Sequence, residues 1–143
     1  MSDTKKENRI DPQNATLAAT ATSAITNPAF ERRGGYCQRF VRQVVQRAHG
    51  SRYDRFHKST AEASRKAWIA GGYAVNPKNG SVIGDILYKA ATREVPEGHV
   101  GIRVAGNRVA ENSTTSLGRV QGAKGFRTLE EFGAVKTIVR LRD

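Results

Sequence analysis

Gly34-Gly35-Tyr36-Cys37-Gln38-Arg39-Phe40-Val41-Arg42-Gln43-Val44-Val45-Gln46-Arg47-Ala48-His49-Gly50 is the stretch from which the rest of the chain can be read. Cys37, Phe40, Val41, Val44, Val45 and Ala48 recur at the i, i+3, i+4, i+7, i+8, i+11 spacing of one helix face. Two glycines precede this stripe and Gly50 ends it. Arg39, Arg42, Gln43 and Arg47 fall off it, so the helix turns bases to solvent and Cys37 to the interior at its first turn.

Downstream, Ser59-Thr60-Ala61-Glu62 has the spacing of a capping box, and Gly71-Gly72 would stop a helix begun there. A second helix is therefore expected from Thr60 to Ala70, with Ala61 and Trp68 on its buried side. After Asn76-Pro77-Lys78-Asn79-Gly80 the apolar period becomes that of strands. Strands are expected at Ile86 to Lys89, Val100 to Val104, Arg108 to Ser113 and Val135 to Leu141. The middle two should join at Ala105-Gly106-Asn107 as a hairpin, and Thr128-Leu129-Glu130-Glu131 should make one helical turn. Helices first and an antiparallel sheet afterwards predict an α+β fold.

Upstream, residues 1–30 hold three bases (Lys5, Lys6, Arg9) and three acids (Asp3, Glu7, Asp11), followed by small polar residues. This composition predicts a flexible N-terminal arm over residues 1–30 and one domain over residues 31–143. Of 24 Lys and Arg and 13 Asp and Glu, 21 and 10 lie in the domain, which therefore carries the whole net charge of +11. Such a surface attracts polyanions, whether nucleic acid or an anionic cell wall. No apolar run is long enough to span a bilayer, so a soluble chain with no membrane partner is expected. The N-terminus lacks the compact apolar run of a secretory signal, which would leave export to another route. The one cysteine has no partner for an internal disulfide. Neither a metal nor a cofactor is expected.

Cys37 is then a thiol to be explained. The first turn of a helix activates a thiol nucleophile through unpaired N–H groups and the dipole, and those donors can also hold an oxyanion. Tyr36 and Gln38, on either side, are the oxyanion-adjacent and substrate-adjacent positions. His99 follows Glu97-Gly98 and heads a strand, a rigid place from which an imidazole can act as base. His49 and His57 are read as solvated, at a helix end and in a basic loop. A third group should fix the imidazole tautomer, and the neighbouring strand offers Glu111 and Asn112. Strand alternation lets only one of them face His99, and a bulge would reverse the choice.

In order and spacing, Gly35-Tyr36-Cys37-Gln38-Arg39-Phe40-Val41, Gly84-Asp85-Ile86-Leu87-Tyr88, Gly98-His99-Val100-Gly101-Ile102 and Val109-Ala110-Glu111-Asn112-Ser113 resemble the NlpC and CHAP families of cell-wall cysteine peptidases and amidases. The match covers about Gly34 to Asn112. The resemblance implies a papain-like NlpC/CHAP fold, with Cys37 as nucleophile, Gly84-Asp85 opening the first long strand, and His99 as base. The twelve-residue offset to Glu111 gives that residue the third role. Tyr36-Cys37-Gln38 departs from the usual Asp-Cys-Ser, and Glu111 stands where His is frequent in NlpC enzymes.

The implied function is peptidoglycan hydrolysis through a Cys-His-polar triad, as an endopeptidase or an amidase. The protein would be carried in a bacteriophage lysis or tail protein or an antibacterial effector, acting on the wall from the virion or the host cytoplasm. The arm would suit attachment to a larger virion or secretion assembly. The competing reading is a basic nucleic-acid-binding or structural virion protein with an incidental or decayed Cys/His pair. Against it, the chain shows no zinc-finger ligands, no RRM aromatic signature and no bases interleaved with aromatics, so nucleic acid is not the expected partner.

Overall fold

The computed structural model describes residues 11–113 and 123–142. Among them are four α-helices and one six-stranded antiparallel sheet, an α+β architecture. The helices are α1 (Pro12–Ala24), α2 (Cys37–His49), α3 (Ala61–Ala70) and α4 (Leu129–Phe132). The strands are β1 (Ala74–Val75), β2 (Ile86–Lys89), β3 (His99–Val104), β4 (Arg108–Asn112), β5 (Lys124–Thr128) and β6 (Thr137–Val139), in the order β1-β6-β2-β3-β4-β5.

The expected flexible arm is corrected by α1. Asp11 caps this helix by accepting from the Gln13 amide at 2.8 Å, and Pro12 starts it in the first turn, where a missing N–H costs nothing. Asn14, Leu17, Ala18, Ala21 and Ala24 form its buried stripe, and the helix packs on α2 and β3. Small alanines let the backbones approach closely. The rest of the arm, residues 1–10, lies outside the described residues.

A polar seam fastens α1 to the sheet. Asn14 donates to Asp85 Oδ1 at 2.9 Å and accepts from the Leu141 amide at 3.1 Å. Asp85, fully buried, also takes a two-pronged bond from Arg140 at 2.9 and 2.8 Å. Gly84, at φ +92°, passes so close to α1 that a Cβ there would lie 2.1 Å from the Asn14 carbonyl oxygen. Buried Lys124 holds the other end of α1, donating to the Ala24 and Asn27 carbonyls at 2.9 and 2.5 Å.

One sheet face, with Ile86, Tyr88, Val100, Ile102 and Val139, packs against Phe40, Val41, Val44 and Leu17 of the helices. The other face carries Leu87, Val109 and Ile138 under Phe132 of α4. The hairpin forms at Ala105-Gly106-Asn107, where Gly106 and Asn107 take positive φ. Helix α3 starts one residue later than expected, because Thr60 is the cap, accepting from the Ala63 amide at 3.1 Å, while Glu62 turns to Arg65 at 2.6 Å. The capping box occurs instead at Thr128 and Glu131. Strands β1 and β5 were not anticipated.

Candidate active site

Cys37 is the first residue of α2 and is nearly buried, and its N-cap Tyr36 makes no side-chain bond to the helix start. The first N–H groups of α2 are therefore not covered by a capping side chain. His99 is the first residue of β3, and its side chain lines the same cleft as Cys37, near enough for the thiol to influence its charge. Its Nε2 bonds Glu111 Oε1 at 2.6 Å, which leaves Nδ1 for the thiol.

The sheet register explains this contact. Glu111 on β4 is paired with Gly101 on β3, two residues past His99 and on the same face. Gly101 puts no side chain between them, and a Cβ there would sit 2.5 Å from Val109 Cγ1, so only glycine fits. Glu111 thus reaches back along the strand to the imidazole. Its second oxygen, Oε2, is bound by Arg127 Nε of β5 at 2.5 Å. The carboxylate is fully buried, so a charge without such partners would be costly.

Asn112 does not partner His99, which corrects that candidate. β4 runs without a bulge through Glu111 and Asn112, so alternation turns the amide to the helix side of the sheet. There its Nδ2 donates to the carbonyls of Arg33 at 2.8 Å and Tyr36 at 3.3 Å. Asn112 holds the loop that delivers Cys37.

Gln38, expected with Tyr36 beside the oxyanion and substrate, has its amide engaged internally, with Oε1 accepting from Tyr88 Oη at 3.0 Å and Nε2 at 3.0 Å from His57 Nδ1. Tyr36 is 43% exposed at the rim, its ring under the Arg33 guanidinium. Neither of the other histidines is solvated. His57 is buried beside Trp68, and His49 bonds the Gln13 carbonyl at 3.0 Å, tying α2 to α1. Burial, aided by the nearby Arg42 charge and opposed by Asp54, pulls the His57 pKa down to about 4.

His99 is shifted the other way. Burial alone would lower its pKa, but hydrogen bonds and charge interactions with Cys37 and Glu111 outweigh burial and raise it to about 9. At neutral pH the His99 imidazole is therefore held in its protonated form.

Two clefts meet at the sulfur. One, of about 240 Å³, is walled by Lys89, Thr92, Val95, His99 and Arg127. The other, of about 180 Å³, is walled by Tyr36, Arg39, Ser59 and Thr60. Gly35, Cys37 and Glu97 belong to both, so an extended chain could cross the thiol from one cleft to the other. Among the described residues no three His, Cys, Asp or Glu side chains group to hold a metal ion, and no helix is long and apolar enough to cross a membrane.

Arg127 is the site residue that sequence reasoning missed. It lies on β5, where Lys124-Gly125-Phe126-Arg127-Thr128 shows no clear apolar alternation, and nothing local marks it as a carboxylate's partner. No protein-family model matches the chain, and comparison with curated proteins finds no similar relative.

Proposed function

We propose that this domain is a papain-like cysteine hydrolase of the NlpC/CHAP kind that cuts amide bonds in bacterial wall peptide. The observation that carries this reading is the grouping of Cys37, His99 and Glu111, with Cys37 and His99 lining one cleft and His99 bonded to Glu111, at a helix start where two clefts meet. A buried structural cysteine would need none of these partners.

Each step uses a group already in place. The Cys37 sulfur attacks the scissile carbonyl and forms a thioester, while the N–H groups at the start of α2 face the developing oxyanion. His99, already carrying the proton, gives it to the departing amine. It then takes a proton from the water that hydrolyses the thioester. Glu111 fixes the imidazole with Nδ1 toward the sulfur and offsets its positive charge. Arg127 anchors Glu111. Peptidoglycan as substrate rests on the family resemblance, with the cationic surface in accord. A phage lysis or tail protein or an antibacterial effector is the carrier that suits this activity.

Incubation of purified protein with peptidoglycan of several chemotypes, with mass spectrometry of the released fragments, tests the reading. Fragments bearing new amino and carboxyl ends are expected, and their masses assign the bond as a peptide cross-link or the amide at the sugar. Intact wall of every chemotype would contradict it.

A further inference from the structure

One patch of exposed bases lies beside the candidate active site. Helix α2 contains no acid, and its outward face presents Arg39, Arg42 and Arg47, all exposed. The loop before it adds exposed Arg32 and Arg33. The nearby acids are already engaged, Glu31 by Arg33 at 2.8 Å and Asp54 by Gln46 at 3.0 Å. Among the described residues Arg32, Arg42 and Arg47 make no ion pair.

This surface is grooved. Two adjoining hollows of about 400 and 330 Å³ share Ala29, Phe30 and Gln43, with Arg32, Arg33 and Arg39 beside one and Arg47 beside the other. Arg39 also walls the smaller cleft at Cys37, so the groove leads to the catalytic site. Two of the guanidinium groups are held over rings, Arg33 at 4.5 Å from Tyr36 and Arg47 at 5.3 Å from Phe30.

We propose that this groove binds a linear phosphodiester polymer of the bacterial wall, a polyol-phosphate chain without bases. Guanidinium forks match phosphate oxygens two at a time, and a row of them suits a repeating anion. The groove's rings argue against nucleic acid. Proteins that grip single strands stack bases on open aromatic faces. Here Phe30, the ring that lines both hollows, is buried, and Tyr36 lines neither, so cations line the groove and no open ring does. Such binding would hold the enzyme on its substrate. The identity of the partner rests on the wall-hydrolase reading; the binding itself does not.

The test uses the full chain and a short synthetic poly(glycerol phosphate), titrated calorimetrically at two salt concentrations, beside single-stranded DNA of equal phosphate number. Wild-type protein should bind the polymer more tightly than the DNA. The double variant R32Q/R47Q should bind it at least about fivefold more weakly, with a logarithmic salt slope smaller by about 1.4, as loss of two phosphate contacts requires. Neither of these two residues lines the clefts at Cys37, so hydrolysis of soluble wall peptides should be unchanged in the variant. Absence of polymer binding at low salt, equal binding by the variant, or tighter binding of DNA would overturn the proposal. Polymer binding by a protein that cleaves no wall would sustain it and remove the hydrolase reading alone.

Discussion

Glu111 reaches His99 diagonally across the β3–β4 ladder, its Oε1 lying 2.6 Å from the imidazole Nε2, because its own register partner is the side-chain-free Gly101. That contact sets the tautomer which turns Nδ1 to Cys37. Glu111→Gln keeps the size and loses the charge, so it should lower kcat/KM for wall peptide by about a hundredfold. Its folding should be less affected. Asn112→Ala should instead reduce stability, by about 1–3 kcal/mol, because it releases the carbonyls of Arg33 and Tyr36. Rate and urea midpoint measured on both variants check the division. A larger rate loss in Asn112→Ala than in Glu111→Gln would reverse the assignment of the orienting residue.

The His99 imidazolium should be visible directly. Its pKa is raised from 6.5 to about 9, so the stability it contributes is fully present below pH 6.5 and is lost as pH rises through about 9. In an NMR titration its ring protons should move near pH 9. Cys37→Ala removes one of the two partners that raise the value, so the midpoint should fall. An unchanged midpoint in that variant would mean the thiol and imidazole do not share a proton.

His57 predicts the opposite pH dependence. Its pKa is depressed from 6.5 to about 4, so the stability associated with its neutral form is present above pH 6.5 and is lost as pH falls through about 4. Protonation would place a second hydrogen where Gln38 Nε2 now donates, disturbing the residue next to Cys37. The loss of urea midpoint from pH 7 to pH 4 should be smaller in His57→Gln than in wild type. An identical loss in both would show that His57 is not the titrating group.

Removing residues 1–24 should prevent folding. It takes Leu17 and Ala21 out of the core and leaves Asp85, the Leu141 amide and Lys124 without their α1 partners. Asn14→Ala alone should cost about 1–3 kcal/mol, because it leaves the Leu141 amide unpaired and takes one of the bonds on buried Asp85. Circular dichroism melts of both proteins decide this. A truncated protein with unchanged melting would restore the free-arm reading.

The residues that were legible are those with strong local signals. Helix α2 declared itself by its valine and phenylalanine stripe, β2 to β4 by period and turn residues, and the grouping of Cys37, His99 and Glu111 by what the NlpC/CHAP resemblance implies. Helix α1 was missed because its buried face is mostly alanine among threonines, so its apolar contrast is weak. The Asp11-Pro12 start was the available clue. Buried His57 and Arg127's hold on Glu111 depend on contacts distant in sequence, which no local pattern encodes.

Covalent chemistry at Cys37 is tested most directly by quenching the protein with acid during turnover of peptidoglycan peptide, then weighing the proteolytic fragment that contains Cys37. The fragment should carry the mass of the acyl half of the substrate, with no such adduct and no cleavage in Cys37→Ala. Cleavage that persists in Cys37→Ala, or product release with the Cys37 fragment never gaining mass, would contradict the cysteine mechanism.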